Sequence, residues 1–210
     1  MSNEIVTEAQ SYARLGWHVF PVNTTDKSPM VAGGFKSASC DPDEVARMFQ
    51  GKTKAGIAVA CLASKIFVID LDRNHGDGRD GVVAWEYVCQ DRAASDNAEL
   101  VAVTANGGRH IIYRHPGVSR VTTTNNIVPG SSIDVRGDGG YIVVPSCNEP
   151  SRYWEDGDPF EVSPSLPPAW VLSMVCTDDR SASGNPDGGM FDREMPMNRA
   201  DVARIRDALC

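Results

Sequence analysis

Asp70 and Asp72 end the apolar run Phe67-Val-Ile-Asp-Leu-Asp72, and this spacing of two is where the sequence first offers chemistry. Side chains alternate along a strand, so both carboxylates leave the same face while Leu71 goes to the other. Two carboxylates that close repel one another unless a cation sits between them. An all-oxygen donor set suits Mg²⁺ or Mn²⁺, which keep their remaining positions for water and phosphate. The same pair could instead end a strand and cap the turn that follows. A calcium loop opens in the same way, as Asp70-x-Asp72-x-Asn74. It then fails, because its sixth position is His75 rather than Gly and its twelfth is Gly81 rather than Glu.

Two further segments carry groups of the same kind. Ile133-Asp134-Val-Arg136 puts a carboxylate and a guanidinium on one face of a second strand. That pairing fits phosphoryl chemistry, and it equally describes an ordinary exposed ion pair. Thr104-Ala-Asn-Gly-Gly-Arg-His110 is a glycine turn that delivers Arg109 and His110 into a strand. Consecutive glycines let backbone N–H groups approach an anion closely. His18, His75 and His115 have no comparable setting. The sequence holds no GxxxxGK[ST] and no GxSxG, which removes a P-loop ATPase and a serine hydrolase of the elbow type.

These groups need elements to position them. Ile5, Val6, Ala9, Tyr12 and Ala13 recur at helical spacing over residues 3–15, with Gly16 as the C-terminal cap. Trp17–Val22 reads as a short strand, and residues 23–39 as a loop carrying Lys27 and Lys36. Asp41-Pro-Asp-Glu44 is a helix start with the elements of a capping box. Ala55–Leu62 and Lys65–Leu71 are apolar, β-branched runs with a two-residue link, which predicts a hairpin. A helix is expected around Gly81–Arg92, and strands at 100–104, 110–115, 132–136 and 141–145. Gly137-Asp-Gly-Gly140 should join the last two as a tight turn. A ragged strand over 152–162 and a short helix after Leu166 complete the reading. Strands outnumber helices and the connections vary in length, so the fold class is α+β with a mixed or antiparallel sheet.

The domain should close near residue 176. Residues 177–197 have linker composition, and residues 198–210 begin an amphipathic helix with Val202, Ile205 and Leu209 on one face. That helix reads as the start of a truncated C-terminal accessory domain in a longer polypeptide.

The 210 residues carry a net charge of −8, which argues against gripping duplex DNA by bulk attraction. Between 109 and 136, however, four arginines and two histidines face one acid, Asp134, so a local cationic surface is expected. Six scattered cysteines without CxxC or finger spacing predict no zinc site, with Cys61 and Cys89 as packed thiols. The polar N-terminus is unlike a signal peptide, and no stretch approaches the ~18 apolar residues of a membrane span. A cytoplasmic location is the expectation.

Taken in order, the motifs make a specific pattern. Tyr12-Ala-x-x-Gly-Trp-x-Val-Phe-Pro-Val22, Lys27 with Pro29, Gly33-Gly-Phe-Lys36, Gly56-Ile-Ala, Val68-Ile-Asp-Leu-Asp72, Gly107-Gly-Arg-His110 and Ile133-Asp-Val-Arg-Gly-Asp-Gly-Gly-Tyr141 follow one another. Over roughly residues 5–175 the chain resembles the primase–polymerase branch of the archaeo-eukaryotic primase superfamily, found in plasmid, phage and other mobile-element replication proteins. The resemblance implies an RRM-like catalytic core with flanking helices. It implies Asp70, Asp72 and Asp134 as ligands of two Mg²⁺ or Mn²⁺ ions, with His110 at the phosphates of the incoming nucleotide. Lys27, Lys36, Arg109 and Arg136 would line the same site. The small residue two positions before the histidine is Gly108 where relatives carry Ser. The activity implied is two-metal nucleotidyl transfer from NTP or dNTP on a single-stranded DNA template, by priming, primer extension or both. A linked accessory or helicase region would follow. Residues of these types also leave open a metal-dependent nuclease, an untemplated nucleotidyltransferase, or an origin-binding domain without chemistry.

Overall fold

The computed structural model describes residues 4–73, 76, 78–117 and 119–177. Helix α1 (Glu4–Arg14) buries Ile5, Ala9, Tyr12 and Ala13, and it ends at Gly16, whose φ of +83° favours glycine. Strand β1 (Val19–Asn23) and a 3₁₀ turn at Gly34–Ser37 precede α2 (Pro42–Phe49). Asp41 caps α2, its Oδ1 accepting from the backbone N–H groups of Asp43 at 2.8 Å and Glu44 at 3.3 Å. The reciprocal half of the expected capping box runs through Ser39. Its hydroxyl donates to Glu44 Oε2 at 2.5 Å and accepts from the Asp41 N–H at 3.1 Å. There follow β2 (Ala55–Ala60), β3 (Ile66–Leu71), α3 (Gly81–Asp91), β4 (Val101–Val103) and β5 (Arg109–Arg114). The remaining elements are β6 (Arg120–Val121), β7 (Ile133–Arg136), β8 (Tyr141–Val144), β9 (Tyr153–Asp156), α4 (Ala169–Val175) and β10 (Cys176–Thr177).

The strands form a three-stranded sheet β1-β2-β8, a five-stranded sheet β7-β3-β5-β4-β9, and the pair β6-β10. All of these pairings are antiparallel, so the fold is α+β as expected. The predicted hairpin is corrected, and the tight turn expected at 137–140 forms, with the Gly140 N–H donating to the Gly137 carbonyl at 2.9 Å, but does not join paired strands. β2 and β3 lie in different sheets, and so do β7 and β8. Every residue of β2 and β3 is buried, so neither strand shows the alternation that would mark one face as paired over a core. Each short link instead carries the chain from one sheet to the other. The two switches are tied together where the Cys61 N–H donates to the Gly140 carbonyl at 3.0 Å.

One face of the large sheet, with Phe67, Ile69, Leu71, Ile111, Tyr113 and Val135, packs under α3 and α4. Trp85 and Trp170 from those helices lie 5.4 Å apart, and their indole N–H groups bond Asp96 Oδ2 and the Ser95 carbonyl. The other face presents Ile66, Val68 and Ile112 to Ile57, Val59, Ile142 and Val144 of the small sheet and to α1 and α2. The outer face of the small sheet is covered by Val31, Phe35 and Ala38. Asp70 and Asp72 follow Ile66 and Val68 on the inner face. The two aspartates therefore continue a core row at its edge.

The ragged strand expected over 152–162 is the four-residue β9, joined to β4 through an irregularity at Val101 and Ala102. Thr177 pairs with Arg120 as the last residue of β10. The linker beyond it, the helix over 198–209, and Asn74 and His75 of the rejected calcium loop lie outside the described residues. Cys61 is fully buried, which pushes its thiol up to about 12, whereas Cys89 is half-buried. No described helix is long and apolar enough to cross a membrane.

Candidate active site

Strand β3 lies between β5 and β7, and the registers place Asp70 opposite His110 on one side and opposite Asp134 on the other. Three residues from three segments therefore form one row on one face, since directly opposed side chains lie about 4.5–5.5 Å apart at Cβ. Asp72 stands two residues further along the same face. Its N–H donates to the Ser132 carbonyl at 3.0 Å and its carbonyl accepts from the Gly81 N–H at 2.8 Å. Gly81 makes this approach possible. A Cβ there would lie 2.4 Å from the Ser132 oxygen and 2.9 Å from the Asp72 backbone. The result is a cluster in which carboxylate oxygens of Asp70, Asp72 and Asp134 all lie within 4.8 Å of one another.

The cluster is compensated by Arg136. Its Nε donates to Asp70 Oδ2 at 3.0 Å, its Nη2 to Asp134 Oδ2 at 2.8 Å and its Nη1 to Asn125 Oδ1 at 3.1 Å. Asp134 Oδ1 accepts from the Asn126 N–H at 2.8 Å, and His110 Nε2 lies 3.3 Å from Asp70 Oδ1. Burial pushes the Asp70 carboxyl up, but His110 and Arg136 outweigh it and hold Asp70 well below the usual carboxylate range. Burial pulls Arg136 down, and the nearby aspartates, Asp70 first, more than restore it. A cation thus stands between carboxylates whose repulsion demands one. The set is all oxygen, partly buried and pre-assembled, and it fits a hard divalent cation.

Asp70, His110 and Arg136 open on a cleft of about 300 Å³, also lined by Lys27, Tyr141, Arg152 and the Gly139–Gly140 turn. A Cβ at Gly140 would lie 2.5 Å from Thr123 Oγ1, so glycine lets this turn pack against the β6–β7 segment. The Tyr141 hydroxyl donates to the Lys27 carbonyl at 3.1 Å and ties the loop to the cleft wall. Gly108 lies where a Cβ would meet the Leu71 carbonyl at 2.3 Å and Thr104 Oγ1 at 3.0 Å, so this backbone admits no serine there. Just beyond the ends of β4 and β5, the Thr104 N–H donates to the Gly108 carbonyl at 2.9 Å, and the Thr104 hydroxyl was not singled out by the sequence.

Two of the expected site residues are not brought here. Arg109 precedes His110 by one position, so alternation sends it to the opposite face, where it forks onto Glu155 at 2.5 and 2.9 Å. Lys36 is exposed on the 3₁₀ turn and does not line the cleft. The expected cationic surface is also corrected. Arg109, His110, His115, Arg120 and Arg136 each find a carboxylate, namely Glu155, Asp70, Asp138, Asp138 again, and Asp70 with Asp134. All of these acids except Asp134 lie outside the 109–136 window, and counting within the window could not see them. Arg152 was missed altogether, because a single arginine in a ragged segment has no spacing signal.

A family model described as the N-terminal domain of bifunctional DNA primase/polymerase matches residues 9–170. No curated protein matches the chain.

Proposed function

The chain belongs to the bifunctional DNA primase/polymerase family, whose activity is nucleotidyl transfer, and from this premise we propose template-directed synthesis on single-stranded DNA at the Asp70 cluster. The observation that carries the reading is the cross-strand row His110–Asp70–Asp134, joined by Asp72 and opening on a cation-lined cleft. Asp70, Asp72 and Asp134 would hold two divalent ions, Mg²⁺ or Mn²⁺. Bound there, such ions supply charge neutralisation at the triphosphate and a more acidic attacking hydroxyl.

The protein's own groups do the positioning. Arg136 and His110 line the cleft and lie against Asp70 at 3.0 and 3.3 Å, so a phosphate's developing charge would meet fixed polar groups rather than mobile water. Lys27 adds a point charge from the loop across the cleft. Burial of the cluster strengthens each of these interactions by excluding water. Priming needs two nucleotides held together and extension needs a primer end, so the same carboxylates would serve either reaction.

Labelled NTP and dNTP incorporation on a single-stranded oligonucleotide, with Mg²⁺ or Mn²⁺ and with or without primer, tests the proposal. Template-dependent product is expected. Asp70→Asn and Asp134→Asn should lower incorporation by at least ~10²-fold, the scale on which a pre-organised charge acts. Both should keep the wild-type circular dichroism spectrum. Near-wild-type incorporation by either variant overturns the assignment. So does product that ignores the template, or shortening of the oligonucleotide.

A further inference from the structure

We propose that Arg152, positioned by Glu149, binds the terminal phosphates of the incoming nucleoside triphosphate; this rests on the nucleotide-cleft reading above. Arg152 and Glu149 are among the few charged residues buried in the fold, at 5% and 7% exposure. A buried ion pair contributes little net stability, because desolvation offsets its attraction. Its presence therefore needs another account, and its location provides one. Arg152 forms part of the wall of the cleft that holds Asp70, His110 and Arg136.

The pair is arranged to hold the guanidinium in place without using it up. Arg152 Nε donates to Glu149 Oε2 at 3.3 Å and Nη1 to the Val143 carbonyl at 3.4 Å. Both bonds are longer than the ~2.7–2.9 Å of a strong charge-assisted bond, and neither uses Nη2. A planar fork with donors to spare is suited to bidentate phosphate contact. Glu149 is in turn set by its surroundings. Its N–H donates to the Ser146 carbonyl and its carbonyl accepts from the Arg152 N–H, and the adjacent Asn148 side chain bonds the Thr53 and Ala55 carbonyls. Gly56 leaves the space, since a Cβ there would lie 3.3 Å from Glu149 Oε1.

Charge balance points the same way. A triphosphate entering the cleft meets three clustered carboxylates, and Arg136 is already committed to two of them. Lys27 and Arg152 are the other Lys or Arg side chains among the residues lining the cleft. Arg152 meets one carboxylate and one backbone carbonyl, each through a single long bond, so a phosphate oxygen can add to its coordination without displacing a strong partner.

Calorimetric titration of the full chain with dATP and with dAMP, in Mg²⁺, tests this. Arg152→Lys keeps the charge and loses the fork. The double change Glu149→Gln with Arg152→Met removes both buried charges and leaves neither stranded. Wild type should bind dATP more tightly than dAMP. Arg152→Lys should weaken dATP binding about tenfold, and the double variant by about 10–100-fold, with dAMP binding unchanged in both. In extension assays the variants should raise KM more than they lower kcat. Wild-type dATP affinity in the double variant overturns the proposal, and so does an equal loss for dAMP. If wild type itself binds no dATP, the nucleotide-cleft reading fails, and this inference fails with it.

Discussion

Arg136 stands where Asp70 and Asp134 require positive charge, and it reaches both through short, well-formed bonds. This explains how three carboxylates can sit within 4.8 Å in a partly buried row and still hold their places. It also sets a pH dependence. Burial raises the Asp70 carboxyl, yet His110 and Arg136 lower it further, so its folded-state value lies below the ordinary 3.8. A group depressed on folding contributes stability above its unfolded value and loses it as pH falls towards the folded value. In chelator, then, wild-type stability should be flat from neutral pH down to about 4 as far as this group is concerned, and should fall below that. Asp70→Asn should show a shallower acid limb. Denaturant melts from pH 7 to pH 2 give the comparison, and parallel acid limbs would show that Asp70 is not held in this way.

At the level of elements, the clustered carboxylates depend on how strands begin and end. Asp72 is the first residue after β3, and two neighbours hold it: the Ser132 carbonyl and the first residue of α3. Asp80 secures that helix start, with Oδ1 accepting from the Val82 and Val83 N–H groups at 3.0 and 3.1 Å. Its other oxygen meets Arg73 at 2.8 Å and closes the base of the intervening loop. Asp80→Ala should cost about 1–2 kcal/mol, the range for a lost N-cap, readable as a lower urea midpoint with unchanged slope. It should also weaken divalent-ion affinity, because Asp72 loses part of its frame. An unchanged midpoint would mean that α3 is held by packing of Trp85 and Val88 alone.

Across the whole molecule, two sheets are welded by two chain crossings that bond each other at Cys61 and Gly140, and the cleft lies beside this junction. The three clustered carboxylates come from β3, its following turn and β7, so no single segment carries the cluster and it exists only in the folded domain. A divalent ion that binds only the folded state should therefore stabilise the whole domain. At about 100 times its Kd, Mn²⁺ should add about 2.7 kcal/mol, seen as a rise in Tm. Asp134→Asn should lose most of that increment while its melt in chelator stays cooperative. Equal Mn²⁺ shifts in wild type and variant would place the ion elsewhere.

Much of this was legible in the chain itself. Alternation alone put Asp70 with Asp72 and Asp134 with Arg136 on common faces, and the Asp41-Pro42 start and the Gly16 stop define their helices by local bonding. Those are short-range rules, and residues within four positions of one another satisfy them. Partner choice is not short-range. Nothing local distinguishes a strand that turns back on its neighbour from one that crosses to another sheet, so the expected hairpin and the expected tight turn both lead across to the other sheet. Nothing local shows that Arg109 would find Glu155 behind the sheet, or that Arg152 would face the cleft. The sequence by itself determined which carboxylates, histidines and arginines stand at which strand positions, and which way each leaves its strand. Only the tertiary structure decided which of them meet, because that depends on register between segments that are distant in the chain and joined by core packing.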